Sequence, residues 1–130
     1  SWTCASSRTL KENFADVDGE AVLAGLRELP VTTWTMIGDS AGVLHMGPVA
    51  EDFYRAFGLG LGESAIGLGD IDGVNLAAAR ALEKRTTELR GENARLRTDV
   101  QALRRENHEL RETLQALLQR VEKLEVERRQ

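Results

Sequence analysis

The chain has 130 residues with a formal charge of −4, and it contains 12 Gly, 2 Pro and a single Cys. That length holds one small domain plus an extension. Cys4 alone excludes an internal disulfide, and no Cys/His cluster suggests zinc or any other metal. No apolar run of about 18 residues and no signal-peptide pattern at Ser1 is present, so neither membrane insertion nor a leader is expected. The first residue is not Met, which points to a C-terminal piece of a longer protein.

The first informative stretch is SSRTLKENF, residues 6 to 14. It places Ser6 five positions before Lys11. On the residues alone it is either a polar lead-in to a helix or a Ser/Lys nucleophilic pair. A serine hydroxyl attacks poorly near neutral pH unless a base takes its proton, and a lysine is a base only when uncharged. Desolvation or nearby positive charge favours the uncharged form, and Leu10 and Phe14 are positioned to supply apolar cover. On a regular helix, residues five apart diverge by roughly 140°. Ser6 must therefore lie on an extended or turning segment, or the pair must be completed across a subunit boundary.

Short elements follow. Residues 16 to 30 read as a helix capped by Asp16 or Asp18, with Val22, Leu26 and Leu29 on one face and Pro30 as its stop. VTTWTMI and VLHMG, joined by GDSAG, read as a β-hairpin. GPVAEDFYRAFG reads as a second helix, with Pro48 in its first turn, Val49, Phe53 and Phe57 on one face, and Gly58 as stop. The Gly-rich GLGLGESAIGLGDIDG then leads to the long C-terminal helix. Trp2 and Trp34 read as packing anchors, and His45 as a residue of the sheet. DVDGE and DIDG lack the glycine and glutamate that complete a calcium loop, so they read as helix caps. GLGLGES lacks the lysine of a phosphate-binding loop and reads as a hinge.

The second half has the clearest pattern. Leu82, Leu89, Leu96, Leu103, Leu110, Leu117 and Leu124 recur every seven residues. Taken as d positions, they set Ala79, Thr86, Asn93, Val100, Asn107, Leu114 and Val121 at a. A period of about 3.5 sustained this long specifies a left-handed coiled coil. A helix from about Gly73 to about Arg128 would be roughly 80 Å long. In a parallel bundle Glu92 meets Arg97, Asp99 meets Arg104, Glu106 meets Arg111, and Arg120 meets Glu125 on the neighbour; only Arg85 with Arg90 repels. These charges favour a parallel, in-register homo-oligomer. Asn93 and Asn107 lean toward a dimer, whereas Leu118 at an e position widens the apolar face toward three strands. The outward Gly91 is a soft spot.

Charge is uneven along the chain. Residues 1 to 79 carry 4 Lys+Arg against 11 Asp+Glu, and residues 80 to 130 carry 13 against 10. An acidic head on a mildly basic rod is a poor nucleic-acid binder. A leucine zipper that reads DNA needs a dense basic helix just upstream, and DGVNLAAARALEK lacks those arginines.

Three stretches in order resemble one family. SSRTLKENF resembles the entry motif S-D-x-x-x-K-E-N-[IF]. ELPVTTW and LHMGPVAEDFYRAFGLG resemble its central hairpin and helix, with their G-[PFL]-[MIV]-A-[QE]-[DE]-[FV] string. DIDGVNLAAARALEK resembles its D-x-D-G-V-x-L-A-A lead into a C-terminal helix. The family is the chaperone of endosialidase, the self-cleaving C-terminal intramolecular chaperone of phage tailspikes, tail fibres and related bacterial surface proteins. The resemblance covers residues 6 to about 84.

The resemblance implies an α+β chain in which a small helix/β-hairpin head is followed by a long parallel coiled coil, homotrimeric rather than dimeric. Residues 1–5 would be the remnant of an upstream fibre or stem, 6–72 the head, and 73–130 the long helix. Ser6 would be the nucleophile, Lys11 its base, and Ala5–Ser6 the scissile bond. Ser7 stands where the family has Asp, and Ser7 and His45 are candidates to support the pair. The expected partners are further copies of the chain and the upstream fibre, with no cofactor, metal or nucleic acid. The expected setting is a virion tail fibre or a bacterial surface. The alternative reading is a structural trimerisation module that is never cut.

Overall fold

A computed structural model describes residues 5–40 and 42–130. The expected stem remnant, apart from Ala5, lies outside the described residues together with Trp2 and Cys4. A single 3₁₀ turn, Arg8–Leu10, is followed by helix α1 (Gly19–Glu28), strands β1 (Thr32–Trp34) and β2 (His45–Gly47), helix α2 (Ala50–Phe57) and helix α3 (Leu68–Arg129). The chain divides into two compact units, Ser1–Lys84 and Arg85–Gln130.

Within the first unit the local chemistry sets the boundaries. Of the two candidate caps for α1, Asp18 is the one used: its Oδ1 accepts from the backbone N–H of Glu20 at 2.9 Å and of Ala21 at 3.3 Å. This satisfies two of the donors that a helix start leaves open. Leu29 ends the helix by donating its N–H to Gly25 O at 3.0 Å, and Pro30 follows. The strands pair antiparallel as Thr32 with Gly47, Thr33 with Met46, and Trp34 with His45. The hairpin ladder is shorter than the alternating residues suggest, at three residues per strand.

Helix α2 starts without a side-chain cap, since Val49 occupies that position. Glu51 and Asp52 in the first turn face the positive end of its dipole. Gly58 closes the helix at φ 64°, a left-handed conformation that suits glycine, and its N–H donates to Tyr54 O at 2.7 Å.

The core of this unit centres on Phe53, which is 2% exposed, together with Leu29 and Val74. Val22, Leu26, Phe57, Ile66 and Ile71 pack around them. Val49, expected on the buried face of α2, is instead 45% exposed because it sits at the cap, outside the helical turn that points inward. Helix α3 begins at Leu68 rather than near Gly73. Gly67 O accepts from the N–H of Asp70 and Ile71, and Val74, Ala78 and Ala81 form a buried stripe. Burial of that stripe outweighs the weak helix propensity of Gly69 and Gly73. In the second unit, residues 85 to 129 are continuously helical.

One close approach in the head involves Gly19 and Ala81. A Cβ added at Gly19 would lie 2.8 Å from the Ala81 Cβ, an atom with no rotamer to escape into. Gly19→Ala should therefore destabilise the head by about 1–3 kcal/mol through overpacking. The check is the thermal midpoint followed by tryptophan fluorescence; an unchanged midpoint would mean that the two helices can separate without loss.

Candidate functional site

The segment before α1 is extended at Ser7 (φ −63°, ψ 144°), makes one 3₁₀ turn, and is extended again at Lys11 (φ −131°, ψ 148°). This alternation folds five residues back on themselves. Lys11 Nζ donates to Ser6 Oγ at 2.7 Å. The geometry matches the condition set by the spacing, since the two side chains meet across a turn and not along a regular helix. Both residues are exposed in the single chain.

The turn is held by Leu10 N–H to Ser7 O at 3.0 Å and Lys11 N–H to Arg8 O at 3.3 Å. Asn13 then takes φ 55°, a left-handed value that asparagine tolerates better than most side chains. Beyond it, the Phe14 ring lies under the Arg8 guanidinium, 4.9 Å from its centroid. That cation–π contact is worth about 0.5–1 kcal/mol at an exposed site. Phe14 and Leu10, the proposed apolar cover for the lysine, remain 60% and 68% exposed. Exposed to that extent, neither encloses the pair.

The other two candidates have different partners. Ser7 Oγ accepts from Thr9 N–H at 3.3 Å and shares a hydrogen bond with Thr9 Oγ1 at 2.8 Å. His45 Nε2 donates to Asp39 Oδ2 at 3.2 Å, and its ring stacks on Trp34 with centroids 4.7 Å apart. Thr9, Asp39 and Arg8 were not singled out by the sequence reading. The Ser-x-Thr spacing was a signal for the first, and Asp39 in the turn before β2 was the signal for the second. Arg8 and Phe14, six apart, gave none.

In the second unit, the a and d side chains from Leu89 to Leu124 form a stripe. Its large apolar members, Leu89, Leu96, Val100, Leu103, Leu110, Leu114, Leu117, Val121 and Leu124, are between 45% and 67% exposed. Leu82, in the first unit, is 52% exposed. Asn93 Nδ2 donates to Leu89 O at 2.9 Å, so one of its donors is satisfied within the helix. Asn107 lies farther along the same stripe, and His108, beside it, is 3.3 Å from Glu112. No group of three or more His, Cys, Asp or Glu that could hold a metal occurs among the described residues. None of the described helices is long and apolar enough to cross a membrane.

Comparison with known proteins gives one result. The family model described as chaperone of endosialidase matches residues 6–58, from Ser6 of the pair to the glycine that closes α2. The match supports the family that the motifs resemble. No curated protein and no solved structure matches the chain.

The left-handed residue makes the segment testable by itself. Asn13→Val should cost about 1–2 kcal/mol of local backbone strain, and should abolish the contacts between the Phe14 ring and Arg8 in an NMR nuclear Overhauser spectrum. Asn13→Gly should retain those contacts. Equal spectra for the two variants would show that the reversal at residue 13 does not depend on its conformation.

Proposed function

We propose that the chain is a C-terminal intramolecular chaperone that assembles a fibre-like protein as a parallel trimer and then releases itself by cutting Ala5–Ser6. The family suggests a chaperone or trimerisation role. The observation that carries the cleavage reading is the 2.7 Å contact between Lys11 Nζ and Ser6 Oγ inside the family segment.

The reaction follows from the atoms present. Lys11, in its uncharged form, takes the Ser6 hydroxyl proton, and Oγ bonds to the Ala5 carbonyl carbon. The Ala5–Ser6 C–N bond breaks, the proton passes to the departing Ser6 nitrogen, and an ester links Ala5 to Oγ. Water adds to that ester, which regenerates the hydroxyl and leaves a carboxylate on Ala5. The released piece is residues 6 to 130. The first step requires that water leave the lysine, and in the single chain water surrounds both groups. A second copy closing over Leu10 and Phe14 supplies that desolvation, which makes cutting conditional on assembly.

The proposed coiled coil through α3 supplies the assembly. Covering a large apolar side chain contributes about 1.5–3 kcal/mol, so the stripe provides most of the drive. The pairs Glu92–Arg97, Asp99–Arg104, Glu106–Arg111 and Arg120–Glu125 each contribute a few tenths of a kcal/mol and set direction and register. Leu118 beside Leu114, Leu117 and Val121 broadens the seam, which favours three chains over two. A parallel bundle gathers the ends of the upstream chains, replacing a three-body search by a local one. This help is most useful for a fibre of long-range β pairing, which folds slowly. The proposed division is stem to residue 5, head 6–72, and coil 73–130.

The test is to express the chain with its natural upstream segment and weigh the fragments. Wild type should yield a cut before Ser6, and Ser6→Ala and Lys11→Ala should each abolish it. An intact wild type would leave the uncut structural module as the surviving reading. Light scattering should give three chains per particle. A variant with aspartate at Leu96, Leu103 and Leu110 should be monomeric and uncut; a monomer that still cuts would sink the dependence on assembly.

A further inference from the structure

Resting on the cleavage reading, we infer that Ser7 is a positioning residue for the Ser6/Lys11 pair, acting by capping the Arg8–Leu10 turn in place of the aspartate of the family pattern. The problem it solves is geometric. Five extended residues span roughly 17 Å, and a regular helix would point the two side chains apart. Only a tight turn between them gives 2.7 Å.

That turn has little support of its own. It is three residues long, it has two backbone hydrogen bonds, and it buries nothing. One isolated turn fixes several backbone angles for few bonds and is unfavourable in water. Ser7 adds what is missing. From an extended backbone, its Oγ accepts the Thr9 N–H that the start of the turn leaves open, and it shares a second bond with Thr9 Oγ1. Serine and aspartate are close to equal in this capping role, and alanine is much poorer. Serine in place of the pattern's aspartate therefore keeps a capping acceptor at the position while removing a charge. The same two bonds engage the Ser7 hydroxyl with Thr9, whereas Lys11 Nζ bonds Ser6 Oγ.

The experiment uses the full chain with its upstream segment, as wild type, Ser7→Ala and Ser7→Asp. Loss of a cap should slow cleavage about fivefold to tenfold in Ser7→Ala. Ser7→Asp should restore the rate to within about twofold of wild type, consistent with equal capping. The pH–rate profile of Ser7→Ala should keep the shape of wild type, since the cap acts on geometry and not on the charge of the base. A Ser7→Ala variant that cuts at the wild-type rate overturns the inference. So does a Ser7→Asp variant as slow as Ser7→Ala, or a profile that shifts in Ser7→Ala. A second readout is independent of cleavage. In a Ser6→Ala background, Ser7→Ala should raise hydrogen exchange at the Thr9 and Leu10 amides and weaken the nuclear Overhauser contact between side chains 6 and 11, and Ser7→Asp should reverse both. If the wild type is never cut, the proposed function falls, and this second readout alone decides whether Ser7 holds the pair together.

Discussion

Ser6 and Lys11 are joined by a 2.7 Å hydrogen bond that is open to water. Water is the constraint on everything the pair can do. A hydrated lysine donates a hydrogen bond to a serine, whereas a base must accept the serine's proton. The fold of one chain brings the two side chains within hydrogen-bonding reach but leaves both exposed to solvent. Under the proposed function, the chemistry waits for a surface that a second copy supplies, and the exposed Leu10 and Phe14 are the side chains it would cover.

This gives a physical reason for joining a weak head to a long amphipathic helix. The head buries few large side chains around Phe53, and a core of that size is marginal. The heptad stripe is far larger in apolar area and has a strict period. Under the proposed function, the stripe drives association, the charged flanks choose the direction, and the head responds to both. Such an arrangement separates the strength of assembly from its timing. Strength lies in Leu89 to Leu124, and timing lies in a polar segment more than seventy residues earlier in the chain.

The sequence was most legible where a pattern repeats or where one residue has a single structural use. The leucine spacing, Pro30 at the end of α1 and the left-handed Gly58 at the end of α2 are of this kind. It was least legible where competing local preferences are settled by tertiary contact. Val49 looked like a core residue by spacing, but the helix begins one residue later and turns it outward. Gly69 reads as part of the connector before a helix starting near Gly73, yet α3 begins at Leu68, with Val74, Ala78 and Ala81 buried along it. At the candidate site, the pairing of Ser6 with Lys11 was readable as a geometric requirement. The 3₁₀ turn, the Ser7–Thr9 bonds and the Arg8–Phe14 contact were not, because each is a weak preference that becomes specific only in combination.

The buried stripe of α3 has one more consequence. The family match ends at residue 58, but the hydrophobic cluster of the head includes Ile66, Ile71 and Val74, and Gly19 packs against Ala81. The heritable unit and the folding unit thus have different lengths. A graft that moved only the recognisable motif to a new protein would carry Ser6 and Lys11 and leave behind part of the head's hydrophobic core. The portable cassette extends to about Lys84, so its last two turns already belong to the leucine repeat. Head and repeat share residues, and neither can be exchanged for a foreign module at that seam without redesigning the other.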